Sequence, residues 1–236
     1  MGDIISDAIV YPFNNIKSLV IFAVLGIIAG VLGGASILGF ALGSTGKNAI
    51  VADGFGIVEL IIFFIIALLI SGYTLDILKY GIERRDDGPG VDFVRQVTNA
   101  IRLIIVGLVY YIIPSIIIWL LFFLLGNGIL TIIINFIIAV VFVFAEFMAK
   151  CRLAKYDSLG EALAIGTAIG DISQVGMLRI LAIVIMVAII GAIVVAIIVA
   201  INRFNTYVGG VLFGIFLVYF VFFYNRALGL LYSEVE

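Results

Sequence analysis

The sequence predicts an all-α fold: a polytopic transmembrane helix bundle of six spans with interfacial amphipathic helices. Three observations predict it. Of 236 residues, 65% are hydrophobic and 12% are charged, and the mean hydropathy is +1.36. A soluble domain carries about 25% charged residues. The apolar residues gather in six runs of about 20 residues, the length that crosses a hydrocarbon core as helix. The charges gather between those runs, most densely in Gly72-Tyr-Thr-Leu-Asp-Ile-Leu-Lys-Tyr-Gly-Ile-Glu-Arg-Arg-Asp-Asp-Gly-Pro-Gly-Val-Asp92. No stretch is left for a separate soluble domain, so residues 1–236 read as one membrane domain.

Residues 3–11 set Ile4, Ile5, Ala8 and Ile9 against Asp3, Ser6 and Asp7. That is helical spacing, and Pro12 is expected to stop it. The segment reads as a short helix lying at the interface. Acidic Asp3 and Asp7 stand where a signal peptide has a basic region, so none is expected. Met1-Gly2-Asp-Ile-Ile-Ser6 matches a myristoylation pattern, to which a chain with several spans owes little anchoring.

The first span is expected over 16–42. Gly26, Gly30 and Gly34 fall four residues apart, a spacing that lets helix backbones approach closely. The row is a candidate helix-packing seam. It serves either a second copy or a partner protein, or, more commonly, this chain's own helices. Residues 43–56 form a Gly-rich loop. Its Gly43-Ser-Thr-Gly-Lys47 departs from a phosphate loop at Ala41 and Asn48, and Gly54-Phe-Gly56 lacks the third glycine of a dinucleotide fingerprint.

The second span is expected over 55–79, with Glu59 near one end and Asp76 near the other. Lys79, three residues on from Asp76, suits a local pair. Gly88-Pro89-Gly90 breaks the helix. Residues 91–100 read as an amphipathic segment feeding a third span over 101–125, in which Pro114 removes a backbone donor and predicts a kink. Gly126-Asn127-Gly128 turns the chain into a fourth span over 129–150. Asn135 is its deepest polar side chain, and Glu146 and Lys150 stand one turn apart. Residues 157–177 read as a further amphipathic helix opened by a capping box, Ser158-Leu-Gly-Glu161. The fifth and sixth spans are expected over 178–201 and 208–228. Charged connectors with amphipathic segments follow both the second and the fourth span, a pattern that suggests an internal repeat.

Several short motifs carry a resemblance: Asp7-Ala-Ile-Val-Tyr11-Pro12, Gly72-Tyr73 with Ile77-Leu-Lys79 and Pro89, Asn99-Ala-Ile-Arg-Leu-Ile-Ile-Val, Tyr110 with Pro114, and Arg226-Ala-Leu-Gly-Leu-Leu-Tyr232. Together the chain resembles a family of archaeal, methanogen-type multi-pass membrane proteins classed as a domain of unknown function. The resemblance implies six spans in an archaeal cell membrane and carries no activity or catalytic residue. The chain departs from the family pattern after Pro89, where Gly90-Val91 precede Asp92.

The function classes follow from what the residues permit. There is no histidine and one cysteine, Cys151. Histidine-based catalysis, an intrachain disulfide and thiolate metal clusters are excluded, and no cofactor or metal is expected. The net charge of −2 gives no reason to expect nucleic acid. Membrane lipids are the expected partners, with a protein partner or second copy if the first helix is a docking seam. The expected role is non-catalytic: a scaffold, an envelope-organising protein or an accessory subunit. The alternative is a small-solute or lipid transporter or channel, with Glu59, Asn135 and Glu146 as its candidate membrane-embedded polar site. With six spans, both termini share a side with 11 of the 13 basic residues. Basic residues near span ends face the cytoplasm, so a plasma-membrane protein with cytoplasmic termini is expected.

Overall fold

A computed structural model describes residues 2–31 and 57–235, without the side chains of residues 57–60 and Thr206. Every described element is a helix. They are α1 (Gly2–Asn14), α2 (Ile16–Ala29), α3 (Ile57–Ile82), α4 (Phe93–Leu125), α5 (Ile129–Tyr156), α6 (Leu159–Ala162), α7 (Ile165–Val175), α8 (Met177–Asn202) and α9 (Thr206–Tyr232). Five of them are long and apolar enough to cross a membrane: α3, α4, α5, α8 and α9. α1 and α2 meet at a bend of 79°, and counted as one broken span they bring the number to six. The architecture fits a multi-pass membrane protein. Its exposed flanks are apolar, with Phe123 75% and Leu178 80% exposed, and apolar faces of this extent call for a non-aqueous neighbour.

α9 is the central strut. It packs against α1, α2, α3 and α8, while α3 also packs against α4 and α5. Where α9 crosses α2, glycines bring the two backbones into close approach. A methyl group at Gly26 would lie 2.5 Å from the Gly214 carbonyl oxygen, and one at Gly30 would overlap the Gly210 carbonyl oxygen. The glycine row of the first span thus meets a second row in the last span. A partner or second copy docking on Gly26 and Gly30 would have to displace α9. Gly34 lies outside the described residues, as do residues 32–42 of the expected first span. One turn nearer the bend, Phe22 stacks on Tyr73 at 4.2 Å and meets Phe222 edge-on at 6.0 Å.

The helices depart from the sequence expectation in three places. α1 runs through Pro12 to Asn14, and the Asn15 amide then donates to the Tyr11 carbonyl at 3.0 Å. Residues 91–100 are the first turns of a continuous α4, because Asp92 caps that helix by accepting from the backbone of Val94 and Arg95, both at 3.1 Å. Pro114, the expected kink position, lies buried within that same helix. The expected helix over 157–177 is instead two, α6 and α7, broken at Leu163 and Ala164. Two side chains hold that break open. Arg152 Nε donates to the Glu161 carbonyl at 2.9 Å, and the Tyr110 hydroxyl to the Ala162 carbonyl at 3.0 Å. Those carbonyls would otherwise accept bonds within a continuous helix. Of the capping box only the forward half forms: Ser158 accepts from the Glu161 amide, while the Glu161 carboxylate turns to Arg152.

Two ends of the bundle can be told apart. The connector end holds α1, residues 83–92, α6 and α7. The turn end holds Gly126–Gly128 and residues 203–205, where Asn205 caps α9. Gly126 at φ +70° and Gly176 at φ +92° take backbone conformations that a side chain resists.

Candidate functional site

The polar chemistry of the described residues is concentrated at the connector end, in three arginine–carboxylate couples. Each arginine lies in a helix with no acid within one turn of it in sequence, or pairs past its neighbours to another helix.

The first couple ties the last helix to the first. Arg226 on α9 is 1% exposed and donates to both carboxylate oxygens of Asp7, at 2.7 and 3.2 Å. It also donates to Asp86 at 3.3 Å, to the carbonyl of Tyr80 at 3.3 Å and to the carbonyl of Arg85. Its guanidinium lies 4.5 Å from the centroid of the Tyr11 ring. Such a fork satisfies carboxylate and carbonyl acceptors in one plane. Burial pushes the Tyr11 phenol well above its ordinary range, so it stays a neutral donor and bonds the Asp87 carbonyl at 3.4 Å. On the solvent side, Arg85 holds the Asp87 carboxyl below the usual carboxylate range.

The second couple ties α5 to α7. Arg152 donates to Asp171 at 3.2 Å and to Glu161, and the Tyr232 hydroxyl donates to the same Asp171 oxygen at 2.6 Å. Both side chains of the pair are nearly closed to solvent, at 8% and 3% exposure.

The third couple ties α3 to α4. Asp76 accepts from Arg95 at 3.2 Å and from Asn99 at 3.0 Å. The expected pairing of Asp76 with Lys79 gives way to this one, since α4 brings a guanidinium and an amide across the helix contact. Lys79 is exposed and finds no carboxylate among the described residues. The Tyr73 hydroxyl closes the layer by donating to the Pro89 carbonyl at 2.8 Å.

The candidate site residues read from the sequence are not brought together. Asn135 is 6% exposed on α5, and neither atom of its carboxamide has a hydrogen-bond partner among the described residues. Glu146 lies on the same face of α5, but three turns or roughly 16 Å away. There it pairs with Lys150 at 2.7 Å. The Glu59 side chain lies outside the described residues. The residues that sequence reasoning missed are Arg226, Arg152 and Asp171. A signal was available: an arginine inside an apolar helix with no acid within four residues must find its partner in the tertiary fold.

Two cavities lie along α3, α4 and α5 at this end. One of about 260 Å³ is lined by Lys79, Arg95 and Arg102 with Asp76 and Asp157. One of about 290 Å³, a turn deeper, is lined by Lys150, Tyr224, Asn225 and Thr74. Arg102 pairs with Asp157, the residue that ends α5 in a left-handed conformation.

The motif residues Asp7, Tyr11, Tyr73, Pro89, Asn99, Tyr110, Arg226 and Tyr232 all take part in this layer. Residues 55–202 match the model of the family described as protein of unknown function (DUF4013). The chain belongs to the DUF4013 family. The DUF4013 match spans α3 to α8, and so takes in the whole lining of the outer cavity, the Arg152–Asp171 couple and the Asp76–Arg95 couple, while α9 completes the deeper cavity from outside the match. The Arg226–Asp7 couple, which closes α9 on α1, lies outside it. No curated protein and no solved structure matched the chain.

Proposed function

We propose that this DUF4013 protein is a six-span, non-catalytic protein of an archaeal cell membrane, with both termini in the cytoplasm. Its role is that of a scaffold, envelope-organising protein or accessory subunit. The observation that carries the reading is what the buried ionisable groups do. Arg226, Arg152 and Asp171 each spend their hydrogen bonds on tying an interfacial segment to the end of a span. Groups committed in this way fix a shape. A catalytic acid, base or nucleophile would need to face space where a reacting atom could sit. Membrane lipids surround the protein, and an accessory role requires a protein partner. Purification from native membranes in mild detergent tests the reading. A stoichiometric protein partner supports it, and a chain that is isolated alone and turns over a substrate overturns it.

A second reading, a small-solute or lipid transporter or channel, draws on Asn135. An unpartnered, buried carboxamide in a span is costly, and lining a solute path would account for it. In reconstituted vesicles, Asn135→Leu should then abolish a flux that the wild type supports. Flux equal in variant and wild type removes the role of Asn135.

A further inference from the structure

The two cavities adjoin as the outer and inner parts of a crevice, since their lining residues are neighbours on all three helices. Thr74 is followed by Leu75 on α3, Arg102 by Leu103 on α4, and Lys150 stands one turn before Leu153 and Ala154 on α5. The crevice has more donors than acceptors. At its mouth three cations, Lys79, Arg95 and Arg102, face two carboxylates, Asp76 and Asp157. Lys79 has no carboxylate partner among the described residues. Arg102 uses one nitrogen on Asp157, and a guanidinium carries five N–H donors. Deeper in, the Lys150 ammonium has three N–H donors and one oxygen partner, Glu146 at 2.7 Å.

We propose that this crevice binds a single phosphate-bearing anionic group, with its oxygens between Lys79 and Arg102. Phosphate suits the donor set. Arginine meets it as a planar fork and lysine as a point charge, and basic pockets between spans on the cytoplasmic side take anionic head groups. The attraction is local, since the connector side as a whole, counting its 11 basic and 13 acidic residues, is net negative. A lipid and a free phosphate share this chemistry. The deeper cavity adds Leu103, Ile104 and Leu228 to its wall, which gives the glycerol end of a lipid an apolar place. A free phosphate would fill the mouth alone. The proposal rests on the membrane placement and the cytoplasmic orientation of this end, and is independent of the scaffold role.

The test uses the full-length chain in a non-ionic detergent. Phosphatidylglycerol, phosphatidylcholine and inorganic phosphate are titrated separately, with bound copies counted by native mass spectrometry and unfolding temperature read in parallel. One phosphatidylglycerol per chain is expected, bound about tenfold more weakly by Lys79→Gln, the loss of one charged hydrogen bond. Lys79 is exposed and ties no elements together, so this variant should fold as the wild type does. Lys17→Gln, on the same side but outside the crevice, should leave binding unchanged. Binding of inorganic phosphate with the same dependence on Lys79 supports the site and assigns it to a soluble anion. Three results overturn the proposal: no binding of either anion, equal binding of phosphatidylcholine, or equal loss in Lys79→Gln and Lys17→Gln. The scaffold reading is judged by partner purification, which none of these results alters.

Discussion

At the scale of single residues, the sharpest constraint is the contact of Gly26 and Gly30 with Gly214 and Gly210. A leucine at position 30 has nowhere to go, since even its first carbon would overlap a backbone oxygen of α9. Gly30→Leu should therefore lower the unfolding temperature in detergent by several degrees while the oligomeric state stays the same. A changed oligomeric state with an unchanged unfolding temperature would mean that the row serves another molecule. The Arg152–Asp171 couple gives the second prediction. Asp171→Asn leaves a nearly buried guanidinium with only Glu161 for charge, and should cost about 3 kcal/mol or more. The double variant Arg152→Met with Asp171→Leu should recover part of that loss, as measured by denaturant unfolding of each single and the double. The glycine row was legible in the sequence because its spacing alone implies close approach. Its partner row at Gly210 and Gly214 was not, because nothing in local spacing says which helices meet. Arg226 was legible as a positive charge near a span end. Its burial under Asp7 and Asp86 depends on two segments that lie far from it in sequence folding back over it.

At the scale of elements, apolar length pointed to the five helices long and apolar enough to cross a membrane, because the bilayer forces backbone bonds to close within each helix. The segments at the interface followed other rules. α4 absorbed its amphipathic entry because one capping side chain, Asp92, satisfies its first free amides. Residues 157–177 split because Arg152 and Tyr110 compete for two of its carbonyls, and such donors from other helices leave no trace in local periodicity. Tyr110→Phe removes one of them. The variant should lose about 1 kcal/mol, and hydrogen exchange should change across residues 159–168 while the spans stay protected. Unchanged exchange there would show that the break is held by other means.

At the scale of the whole molecule, the open prediction is orientation. Cys151 is fully buried in the core cluster of the connector end, so the native thiol makes a poor reporter from either side. On a Cys151→Ala background, two exposed positions serve instead. Gly90 lies in the connector with open space where a side chain would stand, and Phe204 is 92% exposed at the turn end. An impermeant thiol reagent should label Phe204→Cys in intact cells and Gly90→Cys only in inside-out vesicles. The reverse pattern would place the basic side outside the cell and move the crevice with it.

The central place of α9 also bears on how the chain is made. Gly30 leaves the ribosome about 180 residues before Gly210, which at typical synthesis rates is a delay of roughly 10 to 40 s. During that interval the first span sits in the bilayer with its glycine face unmatched, and Asp7 waits for Arg226. The packing of α1, α2 and α3 is therefore completed only when α9 arrives. A nascent chain halted before α9 should remain with the insertion machinery, or be sent to the cell's membrane proteases.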